Sequence, residues 1–222
     1  FFNFEKSYKN MKNIFVLIIT ILFFVIGCKK YDTVPPIIKL NGDETMYIEL
    51  NTPFYDPGAV VTDNEDKSPQ LRVLGSVDVT RAGKYTLTYV ARDKENNYAN
   101  TIYRTVYVVI TPNSVVGDYS VVETTGLKYD SKIDYPYAYY PEPTAKWNRV
   151  VIDNLGGLDI KAIADMTSIL GDQIVLPNYV YMGYTINGTG TITPDAREIQ
   201  FTYVKTDKYL NRDTIWTVWT RK

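Results

Sequence analysis

Gly83-Lys84-Tyr85-Thr86-Leu87-Thr88-Tyr89-Val90 decides the fold class. Successive side chains of an extended chain point to opposite faces. Tyr85, Leu87 and Tyr89 therefore share one face, and Lys84, Thr86 and Thr88 the other. Such alternation marks a sheet with one side on a core and one in water. Ile102–Val109 repeats the pattern, with Ile102, Arg104, Val106 and Val108 opposing Tyr103, Thr105, Tyr107 and Val109. Outward from these runs, strand-like segments and turn signals recur roughly every 8–12 residues, the rhythm of a β-sandwich. Ile37–Leu40 and Met46–Leu50 flank Asn41-Gly42-Asp43, which reads as a hairpin turn. No helix is read from Thr33 to Thr111.

Pro112-Asn113-Ser114 interrupts this pattern, and Val115-Val116-Gly117-Asp118-Tyr119 begins a second domain over residues 112–222. Strands are read at Tyr119–Thr124, Trp147–Asp153, Leu158–Ile163, Gln173–Leu176, Val180–Ile186, Glu198–Val204 and Thr214–Trp219. The turn Thr193-Pro194-Asp195-Ala196 leads into one of them. The fold class is all-β: a β-sandwich followed by an antiparallel barrel or meander of about seven or eight strands. A second sandwich is the alternative, and Ala162–Leu170 stays open between strand and short helix.

Composition narrows the chemistry. The chain has 222 residues, 24 basic and 25 acidic side chains and a formal charge of −1. No concentrated basic face is implied, so nucleic acid is not an expected partner. With no histidine, Ser-His-Asp and Cys-His catalysis and histidine-ligated zinc are excluded. The single cysteine leaves no intramolecular disulfide. Twenty tyrosines and three tryptophans fit a strand-rich protein.

Met11-Lys12-Asn13 opens onto an apolar run, Ile14–Gly27, that closes with Val25-Ile26-Gly27 before Cys28. A basic start, a short apolar stretch and a small residue before the cut make a secretory signal. The run is shorter than the roughly 20 residues a spanning helix needs, and Lys29-Lys30 ends it. Residues 1–27 are read as the signal, with 1–10 as an upstream extension, and 28–32 as a tether. Val25–Cys28 resembles the lipobox of bacterial lipoproteins, which implies acylation of Cys28 and membrane lipid as a partner.

Residues 33–111 carry a second resemblance. Asp32-Thr33-Val34-Pro35-Pro36-Ile37-Ile38, Tyr55-Asp56-Pro57-Gly58-Ala59, Thr62-Asp63-Asn64, Gly83–Tyr89, Ala91-Arg92-Asp93 and Asn97-Tyr98-Ala99 occur in order. They resemble the bacterial Ig-like repeat related to HYR and PKD-type modules. The Gly117-Asp118-Tyr119 entry is similar to the opening of lipocalin-like β domains. The combined plan resembles Bacteroides-type outer-membrane lipoproteins of glycan-uptake systems. It implies an outer-membrane lipoprotein, non-enzymatic, with a polysaccharide or oligosaccharide and an outer-membrane transporter as possible partners.

Candidate site residues follow from the aromatics. Tyr129–Pro143 reads as a long proline-broken loop, and such loops tend to be functional or mobile. Its Tyr137, Tyr139 and Tyr140 with Glu142, together with Trp147, Trp216 and Trp219, are the ligand-binding candidates. Aromatic faces stack on sugar C–H faces; alternatively the loop tyrosines fold back over the barrel mouth. Trp216 and Trp219 point to opposite faces of one strand, so one of them is expected partly exposed. Asp43, Glu44, Asp63, Glu65, Asp66, Asp93 and Glu95 were weighed as oxygen ligands for Ca²⁺ in alternate loops, but read as hydrated turn residues. No catalytic residue, metal or cofactor is expected. The alternative to glycan binding is a structural or adhesion role against other envelope proteins.

Overall fold

The computed structural model describes residues 31–136 and 148–222. Cys28, Tyr137, Tyr139, Tyr140, Glu142 and Trp147 lie outside the described residues. Among the described residues, no helix is long and apolar enough to cross a membrane.

The first domain is a sandwich of two sheets. Strands β1 (Ile37–Leu40) and β3 (Ala59–Thr62) form the smaller one. The larger sheet runs β2 (Thr45–Glu49), β6 (Ile102–Val109), β5 (Gly83–Arg92), β4 (Gln70–Leu74). The alternation read along Gly83–Val90 and Ile102–Val109 is present: Leu87, Tyr89, Arg104, Val106 and Val108 are buried. The hairpin expected at Asn41-Gly42-Asp43 is absent. Instead β1 pairs with β3, while β2 crosses to the other sheet and runs parallel to β6. Asn41 is bonded to that partner side through Gly58 O and Pro57 O, so the turn joins two sheets rather than two paired strands.

Arg104 explains how a charged residue fits the inward face. It is fully buried and donates to Asn41 O at 2.7 Å, Gly58 O at 3.0 Å and Tyr89 Oη at 3.1 Å. Its Nε lies 3.4 Å from Asp56 Oδ1, which also accepts the Tyr89 hydroxyl at 2.6 Å. Buried charge survives only when paired and hydrogen-bonded in this way. One side chain of the large sheet thus clamps both strands of the small one.

After a one-turn helix at Pro112–Val115, eight strands close into a barrel. These are β7 (Gly117–Glu123), β8 (Lys128–Asp134), β9 (Arg149–Asp153), β10 (Lys161–Thr167), β11 (Gln173–Tyr181), β12 (Tyr184–Ile192), β13 (Glu198–Thr206) and β14 (Arg212–Arg221). Neighbours in sequence pair antiparallel, and β14 returns to β7. Three local readings are corrected. Tyr129–Asp134, taken as the start of the loop, belongs to strand β8: Ser131 and Ile133 are buried while Asp130 and Lys132 are exposed. Val180–Ile186 is two strands, because Met182 and Gly183 both take positive φ, 48° and 80°, the geometry of a tight hairpin turn. Ala162–Leu170 is strand as far as Thr167, with Ala162, Ala164 and Met166 buried.

An eight-stranded barrel can be filled by side chains or hold one small ligand. This one is filled. Ile133, Ile152, Ile174, Ile199, Phe201 and Trp219 meet along its axis and leave no space for a water molecule. Gly188 and Gly190 make room for them: a Cβ at Gly190 would stand 2.6 Å from the Phe201 ring and 2.8 Å from Ile174. Apolar-in and polar-out is the reverse of a membrane barrel's alternation.

The two domains share one core. Leu50, Val108 and Ile110 belong to the same buried cluster as the barrel interior. Ile110 N–H donates to Leu170 O at 2.8 Å, and Ala82 N–H to Pro194 O at 2.7 Å. A Cβ at Gly171 would fall 1.9 Å from Ile110 O, so only glycine permits that approach.

Candidate functional site

The register places a continuous outer wall across β14, β7, β8 and β9. Val218 pairs with Val122, Val122 with Lys128, Ser120 with Asp130, and Lys132 with Asp153. Residues with this parity face outward because their neighbours Tyr119, Val121, Ile133 and Trp219 face the core. At one side of the wall stands Trp216, 56% exposed, with Val218 on its own strand and Val122 on the next, all three open to solvent. Across β13, Thr202 pairs with Trp216 and Gln200 with Val218. At the other side lies an open polar groove of about 520 Å³, lined by Asp118, Asp130, Lys132, Asp153, Asn154 and Lys222 among others. The groove lies toward the other end of the strands: its Lys222 is six residues beyond Trp216, just past the end of the same strand, about 20 Å along an extended chain.

The groove carries mixed charge. Lys222 Nζ is 2.7 Å from Asp130 Oδ2, and Lys161 Nζ is 3.5 Å from Asp153 Oδ2. Asn154 caps its rim, donating to Asp130 O at 2.6 Å. Donors and acceptors therefore alternate within the groove, and outward-facing Val122 and Val218 lie between it and the Trp216 indole.

Trp219 was expected among the contact residues and is corrected. It is 1% exposed. Its indole N–H donates to Thr217 Oγ1 at 2.7 Å, and Thr217 donates onward to Phe201 O at 2.8 Å. Tyr119 and Phe201 meet the indole edge-on, with centroids 6.2 and 6.3 Å away. A ring so enclosed is core, and solvent contact on this strand falls to Trp216. Tyr119 donates to Val115 O at 2.6 Å, and burial pushes its hydroxyl up to about 12.

Sequence reasoning missed a polar cluster inside the far end of the barrel. Glu123 is buried, accepts the Tyr203 hydroxyl at 2.7 Å and the Thr125 hydroxyl at 2.9 Å. Tyr129 accepts Gly156 N–H at 3.0 Å. Burial, and then the Glu123 carboxylate, push the hydroxyls of Tyr129 and Tyr203 far above the ordinary tyrosine value. Alternation along Tyr119, Val121 and Glu123 could have flagged an inward carboxylate. The arrangement satisfies that carboxylate and leaves it closed to substrate.

Comparison with known proteins places these features. Residues 38–108 match the family model described as "Bacterial surface protein, Ig-like domain", so the first domain is a bacterial surface Ig-like domain. A lipoprotein of Bacteroides thetaiotaomicron, known from its crystal structure, is similar at 21% identity. That likeness covers 84% of this chain and 100% of the other at a TM-score of 0.32. No match is found among curated proteins.

Proposed function

We propose that this protein is a non-enzymatic, lipid-anchored component of a bacterial cell envelope. In this reading Cys28 carries the lipid, the Ig-like domain carries the barrel, and the barrel's outer wall binds a glycan. The surface-protein family of the first domain and the lipobox-like Val25–Cys28 support the location. A single acyl chain holds a protein only marginally, whereas a multiply acylated cysteine anchors it stably.

The observation that carries the binding assignment is the 56% exposure of Trp216 on the wall that leads into the polar groove. Trp216 stands beside exposed Val122 and Val218, and a contiguous apolar patch marks a contact surface where a single exposed side chain does not; a filled barrel offers no interior alternative. Tyr137, Tyr139, Tyr140, Glu142 and Trp147 remain part of the proposed ligand surface on their sequence alone.

Calorimetry of the purified protein against a panel of polysaccharides tests this. Trp216→Ala should weaken binding at least about tenfold, the loss of roughly 1.4 kcal/mol, with an unchanged melting temperature. Binding that survives the substitution, or no binding to any polysaccharide, overturns the assignment. A second reading is favoured by Val122 and Val218, exposed beside Trp216: the same patch would contact another envelope protein, such as an outer-membrane transporter. Photo-crosslinking from position 216 in native cells would then capture a protein and be insensitive to added glycan.

A further inference from the structure

The chain enters the sandwich through a cluster of carboxylates that the sequence alone did not assemble. Asp32, Asp63 and Asp93 each bring a ligand atom within 4.8 Å of the others. They come from the segment before β1, the end of β3 and the end of β5. The β1–β3 register, with Ile37 opposite Thr62, brings the first two to one end of the sandwich. Asp43 and Glu44 fall on the turn after β1, at its opposite end, and are exposed. Asp32, read as the last tether residue, takes the place expected for them.

Asp32 and Asp63 are each fixed by donors on one oxygen, and Asp93 by donors on both. Asp32 Oδ1 accepts Val34 N–H at 3.0 Å and the Asn64 amide at 3.2 Å. Asp63 Oδ1 accepts the backbone N–H groups of Glu65 at 3.0 Å and Asp66 at 2.7 Å. Asp93 accepts Asn97 N–H at 2.8 Å and its side-chain amide at 2.7 Å, and that amide also donates to Asp32 O at 2.9 Å. The loops are therefore held with their acceptors aimed inward.

The second oxygens of Asp32 and Asp63 are unpaired. Asp32 is 8% exposed, and its Oδ2 is shut from solvent with no hydrogen-bond partner. Asp63 Oδ2 and Glu95 Oε2 are in the same condition. A buried polar atom without a partner is costly, more so when charged, and adjacent carboxylates repel. Lys94 acts on this cluster from a distance: its Nζ lies 4.0 Å from Glu95 Oε1 and is more than half exposed. Among the described residues, no cationic side chain forms an ion pair with the three aspartates.

We propose that Asp32, Asp63 and Asp93 are ligands of a structural Ca²⁺ ion, which pins the start of the chain to the sandwich. Hard divalent cations take oxygen donors, and calcium holds them at about 2.3–2.6 Å. The three ligand atoms lie within 4.8 Å of one another, close enough to share one such ion. Asp32 follows the proposed lipid-bearing Cys28 by four residues. The ion would make the junction between anchor and body rigid.

The test uses the full chain in detergent, stripped of metal by chelation and titrated with CaCl₂ in a calorimeter. One ion per chain is expected, with a Kd on the order of 10⁻⁴–10⁻³ M, the range of extracellular modules. At calcium one hundred times the Kd, the unfolding equilibrium constant should fall about 100-fold. Asp32→Asn and, separately, Asp63→Asn should each weaken binding about tenfold or more, since affinity follows ligand charge. Asp63 is partly exposed, so the second variant keeps the test valid if the first unfolds. Overturning results are no heat and no thermal shift at about 10 mM calcium, unchanged affinity in either folded variant, or magnesium binding as tightly as calcium.

Discussion

Arg104→Met should destabilise the protein by about 3 kcal/mol, the low end of the 3–5 kcal/mol range for breaking a buried ion pair. The reason for the low end lies in what each former partner retains. Gly58 O keeps the Asn41 N–H at 3.0 Å. Asp56 Oδ1 keeps the Tyr89 hydroxyl at 2.6 Å and Gly58 N–H at 3.0 Å, and its side chain is 24% exposed, so water reaches it. Asn41 O loses the 2.7 Å bond and the Tyr89 hydroxyl oxygen loses its donor. For a body of this size, 3 kcal/mol corresponds to a fall of about 6–12 °C in melting temperature. Urea denaturation followed by far-UV circular dichroism measures it. Arg104→Lys should recover only part of the loss, because a single ammonium that reaches Asn41 O and Gly58 O has no second nitrogen to donate, as Arg104 Nε does, to the Tyr89 hydroxyl. A change below about 1 kcal/mol for Met, or full stability for Lys, would refute the clamp.

Gly190→Val should destabilise the barrel by about 1–3 kcal/mol or prevent folding, since the added side chain meets the Phe201 ring and Ile174; an unchanged urea midpoint would contradict the packed interior. Tyr203→Phe removes the 2.7 Å donor to buried Glu123 and should cost about 1–3 kcal/mol, measured the same way, with Glu123→Gln as the less damaging partner change. Asp207, whose carboxyl is held below 3.8 by the Asn211 amide, stabilises the fold above that pH, and its contribution disappears as pH falls through the folded value. Asp207→Asn should accordingly flatten the acid limb of the stability profile. Tyr119, pushed by burial from 10.0 to about 12, holds its proton longer in the folded state. Its stabilisation is complete below pH 10.0 and fades as pH rises toward about 12. Tyrosinate absorbance of Tyr119→Phe against the parent should show the late-titrating group missing.

The sandwich was legible because Gly83–Val90 and Ile102–Val109 have one wet face, which prints period-two alternation into the residues. Even the inward Arg104 kept its parity. The pairing of β1 with β3 was not legible, because Asn41-Gly42-Asp43 has the composition of a hairpin turn while the partner strand lies beyond β2. Strand β8 was hidden by the prolines and tyrosines that follow it, although Ser131 and Ile133 keep the alternation. The Met182-Gly183 turn was hidden because methionine carries no turn signal, and nothing in its chemistry demands positive φ. For the site, the parity of Trp216 and Trp219 correctly required one exposed indole, and the core partners of Trp219 show which. The polar groove and the Asp32–Asp63–Asp93 cluster depend on strand neighbours distant in sequence, and no local spacing encodes them.

The anchoring of the whole body at Cys28 is tested most directly by mass spectrometry of the protein isolated from its native host. The account predicts that the mature chain begins at Cys28, with diacylglycerol on the thiol and an acyl group on the amine. A free Cys28 thiol behind an intact Ile14–Gly27 segment would contradict it.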